Sequence, residues 1–151
     1  MLDMSIIINH YHKTMSSELN FFFSLAKTNA LISRVLFCQG LDFSDFIILY
    51  HLSAAPEQKL RRIDLAKKMG LTPSGVTRML LPLEKLGIIK RDLDDNDARA
   101  RFAAITQAGK VLLSDAQAHL EFKMKDLLPS DKNNILNNST QLLNTVCEKA
   151  A

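Results

Sequence analysis

The chain has 151 residues, 47% of them hydrophobic, with only five Gly and four Pro. That is enough apolar side chain for one domain with its own core, and it excludes a disordered or low-complexity chain. The net charge is +3, but between residues 59 and 101 eleven Lys and Arg stand against six Asp and Glu, while the remainder carries −2. A basic middle between mildly acidic flanks suits a nucleic-acid face on a differently employed scaffold.

Two cysteines, Cys38 and Cys147, are too few for a disulfide framework or a structural zinc site. Both fall in apolar helical surroundings, where a buried free thiol is expected. The apolar runs Ile6–Ile8 and Phe21–Phe23 are too short to span a bilayer, and no signal-peptide pattern is present. The expected location is the cytoplasm, with no membrane partner.

In chain order, a helix is predicted from about Ile6 to Gln39. Leu19, Phe22, Phe23, Ala26, Ala30, Leu31, Val35 and Leu36 recur at three- and four-residue steps, and Gly40 is placed to end it. A second helix is expected from an N-cap at Ser44 to about Ser53, and a short one from Ile63 to Met69, stopped by Gly70. Thr72 then reads as the N-cap of a helix with Pro73 at its first position, ending at Gly87. Pro82 inside it should kink the last turn. Ile88–Arg91 reads as a strand, Asp92–Asp97 as a turn and Arg101–Ile105 as the returning strand. Thr106 caps a long helix to about Leu128, and Ser130 with Asp131 starts a last helix to about Glu148. The fold class is mainly α with a small β-hairpin: a winged helix-turn-helix at about 41–106, flanked by helices at about 1–40 and 107–151.

Leu65, Ala66, Val76 and Leu80 have the spacing to pack the two helices of a helix-turn-helix against each other. The N-terminal half of the second helix would present Ser74, Thr77 and Arg78, the part of a recognition helix that enters the major groove. Hydroxyls reach phosphates or base edges, arginine bridges the two acceptors of guanine, and the small Gly75 permits close backbone approach. Arg99 and Arg101 share a strand face by alternation and suit the narrow, negative minor groove. Asp97 could pair with a nearby arginine and orient the loop.

Other patterns carry less. Asp92-x-Asp94-x-Asn96 begins like a calcium loop, but Asp97 stands where glycine is needed and Ala103 where the bidentate Glu should be. His10-x-His12 has no clustered Cys or acid to complete a metal site. No nucleophile elbow or phosphate loop supports an enzyme, and no cofactor or metal is expected. Cys38 as an oxidation sensor is disfavoured by its apolar context. His51 reads as a core histidine or, with Phe37, as lining of a ligand pocket between helices.

Two motifs at the right separation resemble the MarR family: Leu65-Ala66 followed by Gly70–Arg78 and Leu83–Ile89, then Asp97-Ala98-Arg99 followed by Ile105–Gly109. The resemblance covers about 60–110. It implies a six-helix winged fold and a homodimer joined through the N- and C-terminal helices. It further implies near-palindromic double-stranded DNA sites, with repression relieved by a small-molecule effector or by oxidation. It places Ser74, Thr77 and Arg78 at the major groove and matches Asp97 and Arg99 to the wing's acid and minor-groove arginine; Thr72, Gly75 and Arg101 are read as DNA-binding beside them. The expected function is therefore sequence-specific DNA binding in transcription regulation. A winged helix docking a protein partner is the alternative.

Overall fold

A computed structural model describes residues 16–35, 37–94, 97–129 and 133–150; the side chains of 93–100 lie outside the description. The chain divides into two compact units, Met1–Val35 and Leu36–Ala151. In the first, helix α1 spans Ser17–Val35 and buries none of its own residues: Leu19, Phe22, Phe23, Leu25, Leu31 and Val35 are all exposed. The early part of the helix expected from Ile6 lies outside the described residues.

The predicted extension of that helix to Gln39 is corrected. The helix ends at Val35, and Gly40 belongs to a tight turn. Gln39 and Gly40 both adopt positive φ, 51° and 81°. Cys38 and Leu41 exchange backbone hydrogen bonds of 3.0 and 2.8 Å and are both buried. Two successive left-handed residues between a hydrogen-bonded pair make a hairpin-type turn, which a continuing helix cannot supply.

Helix α2 runs Phe43–Ala54 and buries Ile48, Leu49 and Leu52. Its N-cap is Asp42, not Ser44. The Asp42 carboxylate accepts from the Asp45 amide at 2.8 Å, and the Asp45 carboxylate accepts from the Asp42 amide at 3.2 Å. This reciprocal box satisfies two orphan donors where Ser44 would satisfy one, so it sets the helix start. Pro56–Gln58 form a single 3-10 turn that leads into a strand absent from the sequence reading, β1 at Lys59–Arg61.

The helix-turn-helix follows as predicted. Helix α3 spans Arg62–Met69 and stops at Gly70, whose φ of +64° is the left-handed cap conformation. Helix α4 spans Pro73–Lys85, capped by Thr72, and continues through Pro82. Leu65 and Ala66 on α3 and Val76, Leu80 and Leu83 on α4 join one buried core with Ile48, Leu49 and Leu52 of α2.

The wing is longer than predicted. Strand β2 covers Ile89–Asp94 and β3 covers Asp97–Ile105, with β1 pairing on the other edge of β3 to give the order β1-β3-β2. The turn expected at Asp92–Asp97 gives way to strand because Asp92 and Leu93 pair with Phe102 and Arg101 in the ladder. Ladder hydrogen bonds outweigh the turn preference of aspartate here.

Helix α5, Gln107–Leu127, starts at its predicted cap. The Thr106 hydroxyl accepts from the Gly109 amide at 3.1 Å and donates toward the carbonyls of Gly87 at 2.7 Å and Ile88 at 2.9 Å. One side chain thus caps α5 and ties it to the segment entering β2. Helix α6, Asn133–Ala150, buries none of its residues. Its expected start at Ser130 and Asp131 lies outside the described residues.

Candidate nucleic-acid interface

The N-terminal half of α4 is where sequence placed the base-reading side chains. Thr72 is occupied as the cap: its hydroxyl accepts from the Gly75 amide at 3.1 Å and lies 3.2 Å from the Ser74 hydroxyl. Gly75 is small for a local reason, since an added Cβ would stand 3.2 Å from the Thr72 hydroxyl oxygen. Thr77 is half-buried and donates its hydroxyl proton to the Pro73 carbonyl at 2.9 Å. Ser74 and Arg78 are exposed. Four residues apart, they share one helix face. The structure thus leaves Ser74 and Arg78 outward and commits Thr72 and Thr77 to the helix itself.

On the wing, the backbones of Asp97 and Arg99 lie in β3, but their side chains are outside the described residues. The orienting role expected of Asp97 and the groove role expected of Arg99 therefore have no observed geometry. Arg101 is exposed, on the strand that pairs with β2.

An ion-paired triad that sequence reasoning missed joins the helix-turn-helix to the wing. Glu84 of α4 accepts from the terminal guanidinium nitrogen of Arg62 through one oxygen and from Nε of Arg91 at 2.7 Å through the other. Arg62 at the start of α3 is 7% exposed, and the Glu84 side chain is 13% exposed. Charges so far from water persist only when paired. A signal was present: Arg62 stands three and four residues before Leu65 and Ala66, on the face of α3 that turns to the core.

Beside the triad, Lys59 of β1 pairs with Glu57 at 2.8 Å and with Asp92 at 3.6 Å. The Lys59 ammonium and the Arg61 guanidinium each lie 5.6 Å from the Phe102 ring centroid. The Glu57 hydrogen bond, supported by both carboxylates, raises the Lys59 pKa above the ordinary lysine value. These contacts gather cations around the root of the wing.

The remaining candidates are dispersed. His51 sits half-buried on α2 with its ring 6.0 Å from that of Tyr50, while Phe37 is exposed. Burial, and then the nearby Lys68 charge, lower the His51 pKa. Cys38 is buried as expected, but Cys147 is exposed in the single chain, because α6 buries no face within it. His10 and His12 lie outside the described residues, as does Asn96 of the calcium-like run. Among the described residues no group of three His, Cys, Asp or Glu could hold a metal ion, and no helix is long and apolar enough to cross a membrane.

Comparison with known proteins agrees with this geometry. The pattern of the MarR family matches residues 43–100, from the first residue of α2 into the wing. The uncharacterized HTH-type transcriptional regulator YdgJ of Bacillus subtilis is 28% identical over 114 residues, covering 75% of this chain and 68% of YdgJ. The HTH-type transcriptional regulator PrsX of Escherichia coli is 31% identical over 78 residues; the match takes in 52% of this chain and about half of PrsX, 47%. Among solved structures, Sco3205, a MarR family transcriptional regulator from Streptomyces coelicolor in complex with DNA, superposes with a TM-score of 0.69 at 22% identity. That match covers 85% of this chain and 87% of Sco3205. Both relatives are named as regulators, and the match to the solved neighbour takes in far more of the chain than the helix-turn-helix alone. Residues 43–100 carry the MarR family pattern, and the chain shares the winged helix-turn-helix fold of the solved regulators it resembles.

Proposed function

We propose that the chain binds near-palindromic double-stranded DNA as a homodimer in the cytoplasm and regulates transcription as a repressor that a small ligand releases. One observation carries the DNA reading: Ser74 and Arg78 are exposed on the N-terminal half of α4, in the most basic stretch of the chain. Arginine there can bridge the two acceptors of a guanine, and the serine hydroxyl can meet a phosphate or a base edge. Arg99 and Arg101 on β3 would serve the adjacent minor groove, where arginine is favoured by the negative potential.

The homodimer is supported by α1 and α6. Each carries large apolar side chains, among them Phe22, Phe23, Ile135 and Leu142, that are exposed in the single chain. Apolar surface of that kind is covered by association. Two recognition helices related by a two-fold axis would read successive major grooves about one DNA turn apart, roughly 34 Å. Repression and its release by a ligand rest on the family resemblance.

Selection from a random duplex library at two salt concentrations tests the proposal. An enriched near-palindrome, bound more tightly as salt falls, is the expected result. Absence of binding at either salt overturns it in favour of a protein-docking winged helix, and uniform binding without enrichment removes the sequence-specific reading.

A further inference from the structure

A cleft of about 210 Å³ opens at the root of the wing, lined among the described residues by Arg62, Arg91, Asp92, Arg101 and Phe102. Three of these five are arginines. Arg62 is almost fully buried, and although its terminal nitrogen is held by Glu84, its Nε has no hydrogen-bond partner among the described residues. A buried, unsatisfied N–H on a cation is costly, and it calls for an acceptor such as a water or an anion. The carboxylates nearby are engaged: Asp92 faces Lys59, and Glu84 is shared by Arg62 and Arg91. Arg61 lies against the ring of Phe102 and adds positive charge beside this lining residue. Arg61, the N-cap of α3, makes no side-chain cap hydrogen bond. The first-turn amides of α3 therefore add donor character beside Arg62.

We infer that this cleft is an oxyanion site that takes a phosphate-class anion, with Arg62, Arg91 and Arg101 as its cationic side chains. Guanidinium forks match the geometry of such oxygens, and a semi-enclosed setting partly screened from water strengthens each charge-assisted hydrogen bond. The site goes beyond the DNA reading and does not rest on it. The same chemistry is offered by a backbone phosphate of bound DNA and by a free phosphate in solution.

The test uses the full chain and inorganic phosphate, with sodium chloride at matched ionic strength as reference. Phosphate several-fold above its dissociation constant should raise the melting temperature by roughly 2–4 °C more than chloride does. Arg101→Gln should lose most of that shift. Arg101 is exposed, so this variant folds whether or not Arg62→Gln does. No rise beyond chloride, or an equal rise in Arg101→Gln, overturns the site.

A second arm separates the sources. If phosphate weakens DNA binding beyond chloride, and Arg101→Gln abolishes that excess, the DNA backbone fills the cleft in the complex. If phosphate still stabilises the DNA-bound protein, the occupant is the free anion. A chain that binds no DNA fails the proposed function, yet the melting arm reads the anion site regardless.

Discussion

The Cβ that Gly109 lacks would stand 2.2 Å from the carbonyl oxygen of Ile88. The first turn of α5 therefore rests directly on the backbone entering β2, at a distance no other residue allows. Thr106 secures the same junction from the other side. Intrinsic helix propensity favours alanine over glycine by about 1 kcal/mol. At Gly109 the steric conflict is with backbone, which cannot swing aside, so the sign reverses.

Gly109→Ala should destabilise the protein by about 1–3 kcal/mol or more, as overpacking does. Urea unfolding measures it. A variant as stable as the parent would show that α5 and the wing root are not in contact as described.

Removing the central acid of the triad and removing its exposed arginine should have unequal consequences. Glu84→Gln leaves the buried Arg62 charge without a counterion and should cost about 3–5 kcal/mol. Arg91 has a side chain 62% exposed, and Arg91→Ala should cost less than about 1 kcal/mol. Replacing Arg62 and Glu84 together by Met and Leu should recover most of the loss, because both desolvated charges disappear. Equal losses in the two single variants would contradict the burial difference.

Recognition should divide along the hydrogen bonds of α4. Arg78→Ala should weaken binding to a selected DNA site by about 1–3 kcal/mol and relax preference at one base pair. Thr77→Val should change affinity much less, because the Thr77 proton is already donated to Pro73. Competition binding with specific and random duplexes checks both. A larger effect at Thr77 would reverse the assignment.

The half-buried histidine sets a sign for part of the pH dependence. Burial lowers the His51 pKa from its ordinary 6.5. Between that value and the lower folded one, the unfolded chain holds the extra proton, so stability falls with acidification. The contribution is whole above about pH 6.5 and is lost as pH falls toward the folded pKa. His51→Gln should flatten the stability curve between pH 7 and 5, measured by urea unfolding at stepped pH. An unchanged slope would assign it elsewhere.

Punctuation made the centre of the molecule legible. Gly70, Thr72 and Pro73 mark the turn and the start of α4, and Thr106 marks α5; each acts through local backbone chemistry that sequence displays directly. The misplaced features depend on partners. Ser44 and Asp42 are both good caps in isolation, and only reciprocity with Asp45 decides between them. Lys59–Arg61 is too short to show alternation and is a strand only because Phe102–Ala104 lie beside it. The pairing of Arg62 with Glu84 joins residues far apart in sequence. The outward position of Ser74 and Arg78 was legible from helical phase, whereas the capture of the Thr77 hydroxyl by the helix was not.

The three residues of β1 have an effect out of proportion to their length. A two-stranded wing would leave β3 with a bare edge along its whole length, a template on which another chain's strand could assemble. Lys59–Arg61 occupies that edge opposite Phe102, Ala103 and Ala104, where the small apolar side chains would otherwise invite such pairing. Because the same residues lead directly into α3, the segment that guards the sheet against self-association is also the covalent hinge of the helix-turn-helix. Detaching that strand would leave the protein aggregation-prone before it left it unfolded.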